Sequence, residues 1–585
     1  MATGPIEGIT VGQQVADIVE KAVGYYNVLK GIVPWGPLAI TRANVRGHSL
    51  RVFKTLPPAL GDFYRECTAE HGGRDALVFG DERLSFGEVQ RQIDAFGAEL
   101  MSTFGVQRGE RVAIAMRNMP EFAVSFLGIT ACGAIAVPFS TLWTAPELEF
   151  ALQDSGAKVA IMDPERLQLA QPFLARCGCR AILCRGDASK VGDLGGAVAW
   201  ADVLRAGSSK LAPPTDGITA EDDAMILYTS GSTGTPKGVV HTQRSLGTLM
   251  KAAQVGHRML HQEDPRFLLT VPLFHVTALS MVFLSAFSIG ATLFMMRRWD
   301  ASEALDIIEK HKINRFTGVP TMVRDMLEHP AFSPARVASL KMLNAGGAPT
   351  PPSQVAAVVK NAKTAKPIQG YGLTEAQLVT INRGVDYMKH PTSCGKPVPF
   401  LVECRVVDPK TGKQVKAGER GELIVKSAML MRGYHNRPEE TAKAIDEDGF
   451  FHTGDVAKME GGYVYILDRL KDVIIRGGEN IECSEIEVAL YSHPAVRECS
   501  VFGLPDPRLG EVVGAAVWLH GDNLPTTAEL SAHVASKLAK HKVPAAENIF
   551  LHSEALPKIG TGKLDKKGLR DRYSAAARGP PASKL

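Results

Sequence analysis

The sequence predicts an α/β protein with a large N-terminal multi-sheet α/β domain and a small C-terminal α+β domain. Two observations predict the large domain. Short β-branched runs alternate with amphipathic helical stretches up to about residue 467, and glycine-rich turns follow several of these runs. A third observation predicts the small domain, because short alternating strands and charged helices begin near 466–481. The length of 585 residues also exceeds what one hydrophobic core usually holds.

The first 50 residues are expected to form an N-terminal extension. Apolar residues recur there at helical spacing, which predicts a helix docked on the main body. A helix lying on a membrane surface is the alternative. The extension lacks a basic stretch followed by an apolar core, so no secretory signal is expected. The residues at helical spacing are Val15, Ile18, Val19, Ala22, Tyr26 and Leu29.

The large domain is expected to span residues 51–468, with mainly parallel sheets. Its predicted strands share an apolar, β-branched run that ends in a turn. Ligand-binding loops usually follow such strands at their carboxyl ends. The predicted strands include "RVAIAM" (111–116), "AKVAIMD" (157–163), "AMILYT" (224–229), "RFTGVP" (315–320) and "KMLNAGG" (341–347).

The segment 267–296 contains no Asp, Glu, Lys or Arg, and a run of this length could span a membrane. However, Pro272, His275 and Gly290 interrupt it, together with several Ser and Thr residues. We therefore interpret "FLLTVPLF" as a buried strand and "ALSMVFLSAFSIG" as a buried helix. No transmembrane segment is expected.

Charge and cysteine content exclude some classes of partner and site. The formal net charge of +4 is mild for this length, so no nucleic-acid partner is expected. The nine cysteines are scattered, which suits a reducing compartment. Only Cys177, Cys179 and Cys184 cluster, and no second set of ligands follows, so a zinc site is not expected.

The small domain is expected to span residues 469–575, followed by a flexible tail at 576–585. The tail ends in Ser583, Lys584 and Leu585, which form the peroxisomal signal that an import receptor reads. We therefore expect that receptor to be a partner and the peroxisomal matrix to be the location.

The stretch "YTSGSTGTPKG" (228–238) is dense in Ser, Thr and Gly and carries one lysine, which favours phosphate binding. It does not fit the P-loop of ATPases and kinases. At the positions where that loop has Gly, Lys and Ser or Thr, this chain has Pro236, Lys237 and Gly238. The run "GVVHT" that follows predicts a strand where the P-loop has a helix. The remaining alternatives are a P-loop ATPase or kinase, which would release ADP, and a polar hairpin loop with no ligand.

With its surroundings, this stretch closely resembles the signature of the AMP-forming adenylating enzymes. That family includes acyl-CoA synthetases, coumarate–CoA ligases, beetle luciferases and the adenylation domains of peptide synthetases. Two positions depart from the family pattern, because Ile559 stands where threonine is usual and Asn480 stands where other forms carry a basic residue. Further family motifs recur in order as "VPLFHV" (271–276), "GGAP" (346–349), "QGYGLTE" (369–375), "GERGELIVKSAMLMRGY" (418–434), "DGFFHTGD" (448–455), "YILDRLKDVIIRGGENI" (465–481) and "LPKIGTGKLDKKGLR" (556–570).

The resemblance implies a reaction in two steps. A small-molecule carboxylate attacks the α-phosphate of ATP, giving an acyl-adenylate and pyrophosphate. The thiol of coenzyme A then displaces AMP and leaves a thioester. ATP, Mg²⁺ and coenzyme A are therefore the expected cosubstrates and cofactor.

The resemblance also implies a role for each motif residue in nucleotide binding. Tyr371 would offer an aromatic face near the adenine, Asp455 would accept both ribose hydroxyls, and Arg469 would donate to them. The residues implied in ATP or AMP binding are Thr229, Ser230, Gly231, Ser232, Thr233, Gly234, Lys237, Gly346, Gly347, Ala348, Gly370, Tyr371, Gly372, Asp455 and Arg469.

Three side chains of the large domain match catalytic positions of the family. Glu375 would bind Mg²⁺, for which a hard carboxylate is suited. Thr374 would donate to the α-phosphate. His275 would form a wall or gate near the acyl-adenylate, although a histidine in an apolar run can also be a simple core residue.

The small domain would contribute to both steps. Lys563 would neutralise charge during adenylation when the domain closes over ATP. Lys471 lies close to the family's hinge, about which the domain would rotate. Gly478 would then line the passage for the pantetheine arm. Lys540 and Lys542 are candidates for binding the CoA phosphates, with a solvated helix end as the alternative.

The acid is expected to be hydrophobic. Amino-acid-activating domains commonly carry an aspartate near "VPLFHV", whereas this chain has His275 and no acidic residue from 268 to 299. Gly372 follows Tyr371 where acetate-type enzymes carry a tryptophan, which leaves depth for a larger acid. We therefore predict a medium- or long-chain fatty acid. A hydroxycinnamate-type or secondary-metabolite acid and a luciferase-like oxidation remain as alternatives.

Overall fold

The computed structural model describes residues 38–186, 196–229, 236–260, 264–346, 350, 352–521, 523–558 and 564–577. Two large mixed sheets, an antiparallel sheet of four strands and a small hairpin sheet make up the large domain in this part of the chain. A separate sheet from residue 474 onward forms the small domain. The predicted fold class, a multi-sheet α/β domain followed by a smaller α+β domain, is thus confirmed.

The first large sheet is parallel in its interior and antiparallel at one edge. The buried aliphatic runs predicted at 111–116, 157–163 and 224–229 are strands of this sheet. In spatial order its described strands are Gly433–Tyr434, Lys237–Thr242, Asp223–Thr229, Ile135–Pro138, Arg111–Ala115, Val159–Met162, Arg180–Leu183 and Val198–Ala199.

The second large sheet has a parallel centre and antiparallel strands at both edges. It contains the strands predicted at 315–320 and 341–347, and its central strands end at the candidate site described below. In spatial order its described strands are Lys396–Pro397, Gln377–Arg383, Lys366–Leu373, Met342–Gly346, Arg315–Gly318, Arg266–Leu269, Thr292–Met295, Asp75–Phe79 and Glu82–Ser85.

The remaining sheets complete both domains. In the large domain they comprise the hairpin Ile40–Val45 and His48–Phe53 and the antiparallel strands Glu403–Val407, Gly421–Lys426, Phe451–Glu460 and Tyr463–Arg469. In the small domain the strands are Glu479–Ile481, Ile474–Arg476, Gly510–Leu519 and Val496–Asp506, with Ile549–His552 parallel to Gly510–Leu519.

Helices cover the sheets, and local signals fix several of their ends. Ser85 and Glu88 form a reciprocal capping box at Phe86–Ser102, and Thr526 and Glu529 form another at Thr527–Ala535. The other α-helices of the described chain are Leu60–His71, Pro120–Ala131, Ala145–Ser155, Pro164–Leu174, Trp200–Gly207, Gln243–Leu260, Ser285–Ser288, Ala301–His311, Pro320–Glu328, Pro352–Asn361, Gly384–Lys389, Pro438–Ala444, Cys483–Tyr491 and Lys566–Ala577. Short 3₁₀ turns occur at Lys540–Lys542 and Ala546–Asn548.

The charge-free segment is buried, as predicted. Arg266–Leu269 is an interior strand, and Thr277–Leu284 and Ser285–Ser288 form a continuous helix. Its first part is a π-helix, which the sequence pattern did not indicate. Within the described ranges, no helix is both long and apolar enough to cross a membrane.

The predicted N-terminal boundary needs one correction. Residue 50 lies inside the strand His48–Phe53, so that the extension as drawn would cut a hairpin. This hairpin belongs to the large domain, because Leu38 and Phe53 join its core and Arg46 donates to the carbonyl of Met431 at 2.8 Å. The helix predicted near residues 15–29 lies outside the described residues.

Candidate active site

A cavity of about 2360 Å³ lies between the large and small domains. The parallel strands Met342–Gly346 and Lys366–Leu373 end at it, and residues of Phe451–Glu460 and Tyr463–Arg469 also line it. Carboxyl ends of parallel strands are the usual position for a ligand in an α/β sheet. This cavity is therefore the candidate active site.

Lys237 stands at one wall of the cavity, opposite Thr229 in a strand-to-strand connection. The two strands pair antiparallel, which confirms that the "YTSGSTGTPKG" loop joins strands and is not a P-loop. The Lys237 ammonium forms an ion pair with Glu440 and lies 5.2 Å from the ring centroid of Tyr434. A bound phosphate would compete with Glu440 for this cation.

Tyr434 connects this cation to Glu375. Its hydroxyl donates to Glu375 Oε1 at 3.0 Å, and the backbone N–H of Met431 donates to the Glu375 carbonyl at 2.7 Å. Burial raises the pKa of the Glu375 carboxyl above its ordinary value. A cation bound beside it would favour the ionised form and offset this cost.

A buried network fixes the turn that carries Thr374 and Glu375. His241 Nε2 lies 2.7 Å from the Thr374 carbonyl, and burial lowers the His241 pKa to about 4, so the neutral ring donates there. Gln377 adopts a left-handed φ of 54° and its side-chain amide donates to the carbonyls of Ser245 and Met429 at 3.1 and 3.0 Å. The position of Glu375 is thus set by groups that do not themselves reach the cavity.

Asp455 and Arg469 occupy paired positions on adjacent antiparallel strands. Arg469 Nε lies 3.4 Å from Asp455 Oδ1, and the Tyr371 hydroxyl donates to Asp455 Oδ2 at 2.6 Å. Burial and the nearby Asp455 charge raise the Tyr371 pKa well above its ordinary value, so the phenol stays protonated. All three side chains line the cavity and form a compact set of donors and acceptors.

His275 also lines the cavity. The backbone N–H of Thr277 donates to His275 Nδ1 at 3.2 Å, which assigns the proton of the neutral ring to Nε2. The ring is only partly buried, in contrast to Leu273 and Phe274 beside it. This arrangement suits a side chain that faces a ligand better than one that only fills the core.

Three glycines of the predicted set lie on the neighbouring strands Met342–Gly346 and Lys366–Leu373. Gly346 and Gly370 pair directly, and a Cβ on Gly346 would meet no atom within 4 Å. A Cβ on Gly372 would lie 1.8 Å from the Gln377 carbonyl oxygen and 3.2 Å from Met281 Cε. Gly372 therefore permits two strands to approach closely at a bulge. It also leaves the cavity deeper on the side of Met281.

The cavity continues into a region with an apolar wall. Leu249, Ala253, Gly256 and His257 follow helical spacing along one face of Gln243–Leu260 and line it. Phe267, Met281 and Ile289 contribute further apolar surface. This region suits the hydrocarbon part of an acid.

Residues of the small domain that lie close to Lys563 in the sequence line the cavity. Lys563 itself lies outside the described residues, but Lys558 and Leu564 on either side form a β-bridge and both line the cavity. Lys558 pairs with Glu498 at 2.7 Å, and Lys566 pairs with Glu487 at 3.0 Å. The described residues that flank Lys563 in the sequence thus lie beside the candidate site.

The residues predicted to bind coenzyme A do not line the cavity. Gly478 has a left-handed φ of 90° and is exposed. Lys540 and Lys542 lie in a 3₁₀ turn, where Lys542 pairs with Glu485. The predicted hinge residue Lys471 is exposed and lies two residues after the strand end at Arg469.

Several predicted residues lie outside the described part of the chain: Ser230, Gly231, Ser232, Thr233, Gly234, Gly347, Ala348, Lys563, Ser583, Lys584 and Leu585. The sequence reasoning also did not single out Glu440, Tyr434, Arg315 or His257. Tyr434 ends the quoted motif "GERGELIVKSAMLMRGY", and Arg315 begins a predicted strand. The motifs show both residues, but the side chains with which they interact lie far away in the sequence.

No set of three or more His, Cys, Asp or Glu side chains able to hold a metal ion occurs within the described ranges. Glu375 would therefore bind Mg²⁺ together with phosphate oxygens and water, which is the usual mode for this ion. The chemistry of the donors fits such a site, with one carboxylate beside a cavity that also carries Lys237.

Comparison with known proteins gives the family. The family "AMP-binding enzyme" matches residues 64–435, and its C-terminal domain family matches residues 485–563. A feruloyl-CoA synthase of Streptomyces is 35% identical, covering 85% of this chain and 96% of that protein. A long-chain fatty-acid–CoA ligase of Mycobacterium tuberculosis is also 35% identical, covering 85% and 94%.

Solved structures agree with this assignment. ATP-bound MatB from Rhodopseudomonas palustris has a TM-score of 0.78 and 26% identity, covering 88% of this chain and 99% of that one. The TM-score to the apo form of the same protein is 0.70. Both family matches and these relatives lead to one conclusion. The chain belongs to the AMP-binding enzyme family and is an AMP-forming acid–CoA ligase.

Proposed function

We propose that this enzyme activates a hydrophobic carboxylic acid, first of all a medium- or long-chain fatty acid, through acyl-AMP to acyl-CoA. One observation carries the proposal. A single cavity joins the polar groups Lys237, Glu375 and Asp455 to a wall of apolar side chains. A nucleotide and the hydrocarbon part of an acid can therefore be bound side by side.

The polar groups support the adenylation step. An acid oxygen attacks the α-phosphorus of ATP, and the bond to pyrophosphate breaks. Negative charge develops on the phosphate oxygens, which Lys237 and a Mg²⁺ ion on Glu375 would stabilise. Asp455 and Arg469 would hold the ribose, and Thr374 would donate to the α-phosphate. Lys563 would add a further cation from the small domain.

The thioester step needs a different approach to the same site. The sulfur of coenzyme A attacks the acyl carbonyl, and AMP leaves with the electron pair of the broken carbon–oxygen bond. Gly478, Lys540 and Lys542 lie away from the cavity, so a rotation about Lys471 would have to bring Gly478 to it. We retain the two lysines as candidates for the CoA phosphates.

A phenylpropanoid acid of the hydroxycinnamate type is the second candidate substrate. The feruloyl-CoA synthase of Streptomyces is as similar to this chain as the fatty-acid ligase of Mycobacterium tuberculosis. Sequence identity at this level supports both acids equally, and the choice depends on the lining of the acid region.

The decisive measurement is pyrophosphate and AMP release with ATP, coenzyme A and a panel of fatty, phenylpropanoid and hydroxy acids. We expect turnover with medium- or long-chain acids. The absence of AMP formation with every such acid would overturn the proposal. Release of ADP would point to a kinase-type reaction.

The role of Lys563 can be tested in the same assay. We expect Lys563→Ala to slow adenylation by about 100-fold or more, while thioester formation from supplied acyl-adenylate changes little. Arg572→Ala is the matched control, because it removes an exposed charge from the neighbouring helix and does not line the cavity. Equal losses in both half-reactions would contradict a role confined to the adenylating orientation.

We further propose that the enzyme acts in the peroxisomal matrix. The support is the tripeptide Ser583, Lys584 and Leu585, provided that Leu585 carries the terminal carboxylate of the natural chain. A fluorescent fusion that keeps this carboxyl terminus should enter peroxisomes, and the same fusion without the tripeptide should not. Equal distribution of the two fusions would refute this location.

A further inference from the structure

The far end of the acid region carries a buried cation. Arg315 begins the strand Arg315–Gly318, is 6% exposed and lines the cavity. It pairs in register with Met342, whereas Gly346, beside the nucleotide groups, lies four residues further along that neighbouring strand. At about 3.3 Å per residue, Arg315 is roughly 13 Å from the nucleotide end.

His257 and Phe267 hold this guanidinium in place. Arg315 Nη2 lies 3.1 Å from His257 Nδ1, and the guanidinium carbon lies 5.0 Å from the ring centroid of Phe267. Burial and, to a smaller extent, the Arg315 charge lower the His257 pKa to about 4, so the ring is neutral and accepts a hydrogen bond at Nδ1. Its Nε2 then carries a proton and is a second donor at this end.

Among the described residues, the charged groups that act on His257 are cationic. The other groups that lower the His257 pKa are Arg74, His71 and Arg258. The nearby carboxylate of Asp264 is shared between Arg74, at 3.5 Å, and Arg266, at 2.6 Å. An anion at the far end of the acid region would therefore meet a favourable potential.

The sheet side of the cavity is polar between its two ends. Thr317 and Asn344 lie on the same strand faces as Arg315 and line the cavity. The buried Asn344 Oδ1 has no hydrogen-bond partner among the described residues. The lining also includes the apolar side chains of Leu249, Ala253 and Met281. Such a channel suits an acid that has both an aliphatic chain and polar groups.

We propose that the far end of the cavity selects an acid whose distal end carries an anionic or accepting oxygen, first of all the second carboxylate of an aliphatic diacid. This inference rests on the proposed function and narrows its substrate class. A carboxylate at the distal end would accept hydrogen bonds from the Arg315 guanidinium and from His257, whereas a terminal methyl group would accept from neither. A phenolic acid would present a weaker form of the same chemistry.

The test compares acids that differ only at the distal end. Pyrophosphate release is measured with dodecanoic and dodecanedioic acids, and with cinnamic and p-coumaric acids. We expect the wild-type enzyme to have a kcat/KM about tenfold or more higher for the diacid, because only the diacid can form a charge-assisted hydrogen bond at its distal end. A preference confined to p-coumaric over cinnamic acid would support the distal oxygen and assign it to a phenol.

Arg315→Met should abolish or reverse this preference while dodecanoic acid is still activated. Arg266→Met is the matched control, because Arg266 begins the adjacent strand but does not line the cavity. If Arg315→Met fails to fold, which circular dichroism would show, His257→Leu serves for the same comparison. A wild-type enzyme that prefers dodecanoic to dodecanedioic acid and does not prefer p-coumaric to cinnamic acid would overturn this proposal alone. A preference that Arg315→Met leaves unchanged would do the same. Failure with every acid would overturn the proposed function and this proposal with it.

Discussion

The substitution Gly372→Ala tests the close approach of the two strands that carry the candidate site. The new Cβ would lie 1.8 Å from the carbonyl oxygen of Gln377, far inside contact distance. That carbonyl cannot easily move, because Gln377 is fully buried and its side chain donates to two backbone carbonyls, those of Ser245 and Met429. We expect a loss of about 3 kcal/mol in the free energy of unfolding.

Gly370→Ala is the matched control, two residues earlier on the same strand. Its Cβ would lie 3.4 Å from Leu378 Cδ1, an ordinary contact. In a domain of this size, about 3 kcal/mol corresponds to a fall in Tm of roughly 3–6 °C. Differential scanning calorimetry of the three proteins should show this fall for Gly372→Ala and a change of under about 1 °C for Gly370→Ala. Equal Tm values for the two variants would refute the reasoning.

Further predictions concern charge and domain docking. Because burial raises the pKa of Glu375, the folded protein binds its proton more tightly than the unfolded chain, and stability is lost as pH rises above the ordinary value of 4.5. Glu375→Gln should therefore raise the Tm of the nucleotide-free enzyme near pH 8 but not near pH 4, and the rate of adenylation should fall. A Tm gain that is equal at both pH values would contradict this account. In steady-state assays, Lys237→Met should raise the KM for ATP by about tenfold, whereas Glu440→Gln should lower this KM. A higher KM in both variants would argue against competition between Glu440 and phosphate. The Arg497 carbonyl accepts a hydrogen bond from Arg324 at 2.6 Å, and the Arg497 guanidinium lies 3.9 Å from Asp325 and from Glu328. Arg497→Ala should therefore speed tryptic cleavage near Lys471 several-fold, as gel electrophoresis would show. An unchanged rate would mean that these contacts do not hold the small domain.

Local patterns in the sequence were sufficient for the fold class and for the type of the "YTSGSTGTPKG" connection. A buried parallel strand needs a short apolar run, and each of the five runs quoted for the large domain forms a strand with at least one parallel neighbour. The strand after Lys237 was predictable because "GVVHT" is β-branched and the glycine at 238 follows the lysine directly. Information of this kind is contained within a few neighbouring residues.

Contacts between distant residues were not predictable in the same way. Lys237 pairs with Glu440 and Arg315 with His257 only because the sheets bring separate strands and helices together. The π-helix at 277–284 was missed because an apolar run carries no periodicity that separates π from α. The boundary of the extension was drawn inside the hairpin at 40–53, since the alternation of this hairpin is weak and its partner core lies near residues 425–431.

The position of Arg469 has a consequence for how nucleotide binding affects the orientation of the two domains. Arg469 pairs with Asp455 and also ends its strand, two residues before the predicted hinge at Lys471. If these two side chains bind the ribose, nucleotide occupancy and domain orientation share one short backbone segment and become thermodynamically linked. Linkage is reciprocal, so an orientation that binds ATP more tightly is favoured by ATP by the same factor. Mutations at the hinge would then change nucleotide affinity without contacting the nucleotide.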